Sequence, residues 1–256
     1  MHTAEVVPHT ANMDTSTEGA REAVLRKLLP LDYDYAKQSG LIDMFTYDPE
    51  RGEDGLLHTL AGNLRTGKDG GVIPGGYHHE ASADAAWPAV KNEQTGEAQP
   101  STYVDRSHMK GANSDRRRRY KEWPLEPYAT QVVLNGLVKY EERQDPNTGA
   151  IVAAPARNAM FPKEYDALAV MQTIRSAMEN RDPVNDRKSV SDIGEQVLVN
   201  DSGALLMDGK TVMPVRLVMD GDGKRVKTAM PILPRKPGFM KLDPEQAQQH
   251  VVSGQW

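Results

Sequence analysis

Between Glu195 and Ile232 the chain alternates apolar runs with clusters of turn formers. Glu195 to Val199, Ala204 to Met207, Val212 to Met219 and Lys224 to Ile232 are four strand candidates. Asn200-Asp201-Ser202-Gly203 and Gly221-Asp222-Gly223 read as hairpin turns between them. Turns this short permit antiparallel pairing only, since a parallel crossover needs about a dozen residues or more. A second pattern of the same kind lies upstream. Tyr128 to Glu141 is strand-like, Asp145-Pro146-Asn147-Thr148-Gly149 is a turn, and Ala150 to Ala154 returns as a strand.

Helical stripes precede both patterns. Thr15-Ser16-Thr17-Glu18 offers a capping box, with Thr15 at N-cap and Glu18 at N3. Ala20, Val24, Leu25, Leu28 and Leu29 then fall on one face of a helix that Pro30 ends. A short helix is expected over Asp32 to Gln38, with Gly40 as its stop. A longer one, about Pro162 to Asn180, carries Leu168, Met171, Ile174 and Met178 on one face. Helices followed by antiparallel hairpins, twice over, predict an α+β fold. Residues 52–76 are glycine-rich between short apolar runs and read as strand and turn rather than long helix. Residues 91–121 lack periodicity and read as a long polar loop or insertion, partly disordered. Residues 1–14 read as a flexible leader, and the Pro- and Gln-rich tail from Pro234 is expected to wrap the surface.

Composition narrows the chemistry. Only 38% of the 256 residues are hydrophobic and the mean hydropathy is -0.62, so part of the chain is loop or tail rather than core. No apolar run approaches the roughly 18 residues that span a bilayer, and Met1 to Thr17 has no basic and apolar signal pattern. Cysteine is absent, which excludes disulfides, cysteine-zinc sites and thiol nucleophiles. A net charge of -5 argues against an indiscriminate nucleic-acid binder. Positive charge is instead concentrated at Arg116, Arg117, Arg118, Arg119 and Lys121, either a solvated loop or a phosphate clamp.

Two histidines stand in glycine-flanked strings. His58 lies in Leu57-His58-Thr59-Leu60-Ala61-Gly62-Asn63, and His78 in Gly75-Gly76-Tyr77-His78-His79-Glu80. An unperturbed imidazole titrates near pH 6.5 and can both take and give a proton. Gly75 and Gly76 let the backbone turn tightly and present His78, while His79 is the competing residue on the opposite side. Lys139, closing Asn135-Gly136-Leu137-Val138-Lys139, is a solvated strand lysine or a catalytic cation. Thr228, in Val226-Lys227-Thr228-Ala229-Met230-Pro231, is an edge-strand threonine or a phosphate contact. His78-His79-Glu80 cannot all face one ion from a strand, which argues against a metal hydrolase.

In their order these strings resemble the EndoU endoribonucleases, in particular the bacterial branch found as polymorphic toxin domains. His58 to Gly62 matches an H-x-x-x-G block, Gly76-Tyr77-His78 a glycine–aromatic–histidine block and Gly136 to Lys139 a G-x-x-K strand. Phe161-Pro162 matches an F-P helix opening, and Thr228-Ala229-Met230-Pro231 a T-x-Y-P strand end. The blocks span residues 52–233. Met230 stands where the family often has tyrosine, and Asn158-Ala159 where a serine or threonine often precedes F-P.

The resemblance implies a two-lobed α+β fold with antiparallel sheets lining a cleft and helices outside. Residues 51–233 would form the nuclease domain, 1–50 an N-terminal helical extension and 234–256 a tail. The implied activity is metal-independent, cofactor-free RNA cleavage. A ribose 2′-OH attacks the adjacent phosphodiester, typically at uridine, and leaves a 2′,3′-cyclic phosphate. His78 is assigned as base and His58 as acid, two exchangeable labels, with Lys139 as transition-state cation and Thr228 as phosphate or base contact. His79, Met230 and Arg116 to Arg119 are the expected substrate contacts. Transfer RNA is the family-level substrate. The expected partners are RNA and a cognate immunity protein, with no membrane. The expected setting is a cytoplasm, the chain's own or that of a cell into which an effector is delivered. The alternatives are a catalytically inactive EndoU-like RNA- or protein-binding module, and a structural, phage-type protein whose motif matches are coincidental.

Overall fold

The computed structural model describes residues 13–66, 72–87, 90–91, 95, 98–99, 102–105, 127–134, 137–138, 140–145, 147–191, 194–233 and 242–255. The chain opens with helices α1 (Glu18–Leu28) and α2 (Tyr33–Gln38). The N-cap of α1 is Thr17, whose hydroxyl accepts from the Ala20 amide, and not Thr15 as the capping-box pattern suggests. The apolar stripe holds: Val24, Leu25, Leu28 and Leu29 are buried, and Gly40 closes α2 with φ +73°. Strands β1 (Tyr47–Asp48) and β2 (Glu53–Asp54) form a small hairpin that leads into α3 (Gly55–Leu60).

From α3 the chain enters the hairpin β3 (Asn63–Thr66) and β4 (Val72–Gly75), then α4 (Glu80–Ala86). Strands β5 (Val90–Lys91), β6 (Ala98–Gln99) and β7 (Thr102–Asp105) follow. They correct the reading of residues 91–121 as loop throughout. Thr102 to Asp105 pairs with β8 (Tyr128–Leu134), and the ladder supplies the order that periodicity in the sequence lacked. β9 (Leu137–Val138) folds back on β8, so the single strand expected over Tyr128 to Glu141 is divided; only its end, in β10 (Tyr140–Gln144), pairs with β11 (Ile151–Pro155) across the expected turn. Its turn is held by Asp145, whose carboxylate accepts from the Asn147 and Thr148 amides. β12 (Arg157–Met160) completes the sheet β12-β8-β7.

Helix α5 (Ala167–Glu179) starts five residues later than the periodicity predicts, because Asp166 caps it by accepting from the Ala169 amide. The remaining strands, β13 (Arg187–Val190), β14 (Gln196–Leu205), β15 (Val212–Met219) and β16 (Val226–Pro231), form an antiparallel meander in that order. Here the predicted Asn200–Gly203 turn is overturned, since those residues lie inside the continuous ten-residue strand β14. Their side chains find distant partners instead of a local turn. Asn200 donates to the Asp182 carbonyl and the Asp186 carboxylate, and Asp201 accepts from Arg187 and Arg216. The hairpin turn lies at residues 206–211, where Asp208 accepts from the Lys210 and Thr211 amides. β13, with every residue exposed, has no apolar signal and was not anticipated.

The main core lies between α5 and the meander. Met213, Val215, Leu217 and Met219 alternate on one face of β15 and meet Val170, Met171 and Ile174 of α5. Val212, of opposite parity, joins Ala247 and Val251 of the C-terminal helix α6 (Pro244–Val252) in a separate small cluster. Apolar residues of α1 and α2 belong to the main cluster. The outer edge of β16 is met at its first residue by residues 44–46: the Thr46 amide donates to the Val226 carbonyl and the Val226 amide to the Met44 carbonyl. The described residues thus form an α+β arrangement of helices and small antiparallel sheets.

Candidate functional site

Helix α3 is only six residues long and needs outside support at both ends. At its start Asp54 accepts from the Leu56 and Leu57 amides. That carboxylate is itself held by the buried Arg21 of α1 at 2.6 Å, whose guanidinium also lies over the Tyr47 ring. The helix packs against β16 so closely that a Cβ on Gly55 would collide with the Val226 carbonyl. Thr59 fastens this contact by accepting from the Ala229 amide at 3.2 Å.

The other end joins the two histidine strings. A helix leaves its last carbonyls without intrahelical partners. Here the Tyr77, His78 and His79 amides donate to the carbonyls of His58, Thr59 and Leu60, at 3.0, 2.9 and 3.2 Å. The Trp87 indole takes the Ala61 carbonyl. The approach demands glycine at position 76, because a Cβ there would collide with the His58 carbonyl and lie 3.0 Å from Cγ of its ring. Gly76 and Tyr77 both have left-handed backbones, φ +67° and +71°. That conformation is strained for tyrosine, and complete burial of its ring holds it in place.

The hydrogen bonds of the three imidazoles separate their roles. His58 Nδ1 lies 2.7 Å from Asn63 Oδ1, and His78 Nδ1 lies 2.8 Å from the Ala159 carbonyl. Both oxygens can only accept, so each Nδ1 carries the proton and each neutral ring has its lone pair at Nε2. His79 is the opposite tautomer: Nε2–H donates to the Tyr165 carbonyl and Nδ1 accepts from Ser82 Oγ. Burial pushes its pKa down, against the pull of the Tyr165 carbonyl and of Asp166 and Glu80. With both nitrogens engaged and 2% exposure, His79 is an interior residue, and the substrate contact expected of it from the sequence would require one of these bonds to open. It serves as the N-cap position of α4.

Strand β12 is a support that sequence reasoning missed. Asn158 Nδ2 donates to the Gly76 carbonyl at 2.5 Å and to the Tyr77 carbonyl at 3.3 Å, and Ala159 holds His78. The Phe161 amide then donates to the His78 carbonyl. The one available signal was positional, since Asn158-Ala159 immediately precedes the F-P block.

Thr228 lies on β16, next to Ala229, which is tied to α3; β16 also contacts β12. Its Oγ1 is buried and has no hydrogen-bond partner among the described residues. Met230 is half-buried and paired with Arg216 across the ladder. Among the described residues, the two cations on these strands, Arg216 and Lys227, are both committed. Arg216 is bidentate on Asp201, and Lys227 donates to Glu53 and Glu195. Burial pulls the Lys227 ammonium down, but those carboxylates outweigh it and raise its pKa. β9, which leads to Lys139, lies against β4. Lys139 and Arg116 to Arg119 lie outside the described residues. Among the described residues, no cluster of three His, Asp or Glu could hold a metal ion, and no helix is long and apolar enough to cross a membrane. No family model, curated protein or solved structure matches the chain.

Proposed function

We propose that the chain is an endoribonuclease of the EndoU type, acting as a toxin or effector on RNA such as transfer RNA. In this reading its sheets are the two lobes of a cleft. One observation carries it. His58 and His78 sit on backbones hydrogen-bonded to one another, and each is anchored through Nδ1 so that Nε2 holds the lone pair. One imidazole can then take the 2′-OH proton while the other, protonated, gives one to the departing 5′-oxygen. Such help is worth roughly 10²–10⁴-fold in rate. The Thr228 hydroxyl would contact the phosphate or base, and Lys139 would balance the charge that grows on the non-bridging oxygens.

The test is incubation with total RNA and mapping of the cut ends. The reading requires 2′,3′-cyclic phosphates, a bell-shaped pH profile and activity in EDTA. His58→Ala and His78→Ala should each abolish cleavage while circular dichroism stays native. Full activity in either variant excludes that histidine from catalysis. A second reading, an inactive EndoU-like binding module, draws on the low exposure of the two imidazoles, 8% and 4%. RNA retained on the protein but never cut would select it. Survival of a bacterial host only when a second protein is coexpressed would support the toxin role and its immunity partner.

A further inference from the structure

We propose that Asn63 is the positioning residue of His58. The inference rests on the nuclease reading and concerns a residue to which no motif block assigns a role. Asn63 opens β3, five residues after His58, and its Oδ1 accepts the His58 Nδ1–H at 2.7 Å. Its backbone is in register with Gly75, the residue before the Gly76 turn that closes on the His58 carbonyl. Asn63 therefore touches both histidine strings: one through its side chain, the other through the strand pairing that delivers Gly76, Tyr77 and His78.

The choice of an amide has a chemical consequence. A neutral acceptor fixes the Nδ1–H tautomer and the ring plane without adding charge. A carboxylate in its place would stabilise the imidazolium and make its proton harder to release. An acid that must part with its proton near neutral pH is better served by the amide. Among the described residues, Glu80 and Asp84 of α4, Lys227 of β16, Arg21 of α1, Asp54 at the start of α3, and His78 and His79 are the other titratable or charged groups against α3. A substitution at residue 63 leaves them in place, so a change in His58 titration reports the residue-63 contact.

The experiment combines imidazole nitrogen NMR with the pH dependence of RNA cleavage in wild type, Asn63→Asp and Asn63→Ala. Circular dichroism serves as the folding control. Wild type should show His58 as the Nδ1–H tautomer. Asn63→Asp should raise the His58 midpoint by about one pH unit and move one limb of the kcat/KM profile with it. Asn63→Ala should erase the tautomer preference and lower kcat about 10- to 100-fold, the size seen when an orienting partner of a functional imidazole is lost, with KM little changed. If wild type cuts RNA but Asn63→Asp moves neither the His58 midpoint nor the profile, the positioning role is overturned and the nuclease reading stands. If wild type cuts no RNA, the nuclease reading fails and the positioning role falls with it, whatever the spectra show.

Discussion

At residue 76 two demands meet: a backbone φ of +67° and a Cβ direction filled by the His58 carbonyl. Residue 209 has only the first, with φ +64° and open space where a Cβ would lie. The pair separates the cost of conformation from the cost of crowding. Gly209→Ala should lose about 1 kcal/mol, the left-handed penalty alone. Gly76→Ala adds overpacking against backbone and should lose about 3 kcal/mol or more in urea unfolding. Equal losses would mean that the contact between the histidine strings is loose. His79 makes a different residue-scale prediction. Burial holds its folded-state pKa below the 6.5 of an unfolded chain. The unfolded chain thus binds the proton more tightly, and the stability from His79 is complete above about pH 6.5 and drains away as pH falls below it. Melting temperature should drop between pH 7.5 and 5.5. His79→Gln, which keeps a donor for Tyr165 and an acceptor for Ser82, should flatten that drop; an unchanged slope would assign it to other groups.

Among the elements, α3 is the one whose existence depends most on its neighbours. Asp54 both caps it and pairs with the buried Arg21. Asp54→Asn keeps an oxygen for the cap but leaves a buried guanidinium without its carboxylate, a loss of about 3–5 kcal/mol. Asp54→Ala should cost about 1 kcal/mol more, the cap itself; thermal or urea unfolding of both variants checks the order. This dependence also explains what the sequence revealed and what it hid. α1, α2 and α5 were legible because each carries its own stripe, stop or turn of apolar spacing, as Val24, Leu25 and Leu28 show. α3 has no such stripe, since all six of its residues are buried and its ends are satisfied by Arg21-bound Asp54 and by the amides of residues 77–79. Asn200 to Gly203 read as a turn because their partners, Asp182, Asp186, Arg187 and Arg216, are set by the tertiary fold. α6 did leave a local signal, Asp243 capping the Gln246 amide with Pro244 in the first turn, which the Pro- and Gln-rich composition obscured. At the candidate site, the histidine strings stood out in the sequence by their flanking glycines, and the structure brings their backbones together. Asn63 and Asn158 did not stand out, because what they do is visible only once β3, β4 and β12 bring distant backbone to them.

For the molecule as a whole, the distribution of buried apolar residues sets the pattern of unfolding. Leu25 and Leu28 of α1, Phe45, Leu56 and Leu60 of α3, Ile174 of α5, and Leu217 and Ala229 of the meander form one cluster. α6 contributes Ala247 and Val251 to another, in which the buried partner from the sheet, among the described residues, is Val212. Each side chain fully removed from water contributes on the order of 1–3 kcal/mol, so α6 is held by a few such contacts and the rest by many. Segments held by few buried contacts open separately and at lower free energy than the core. Native-state hydrogen exchange in increasing urea should therefore show α6 amides exchanging first, through an opening with little urea dependence. Amides of α1 should converge on the same unfolding as those of β15, since Leu25 and Leu217 share a cluster and Arg21 is paired with Asp54 across the start of α3. Early exchange of α1 at a free energy like that of α6 would instead mark residues 1–50 as a separate unit resting on the site-bearing domain. In that case Arg21→Met should release α1 alone. If the core is shared, the same substitution should lower the free energy of every slow amide together, including those of Tyr77 and His78, which donate to the carbonyls of α3.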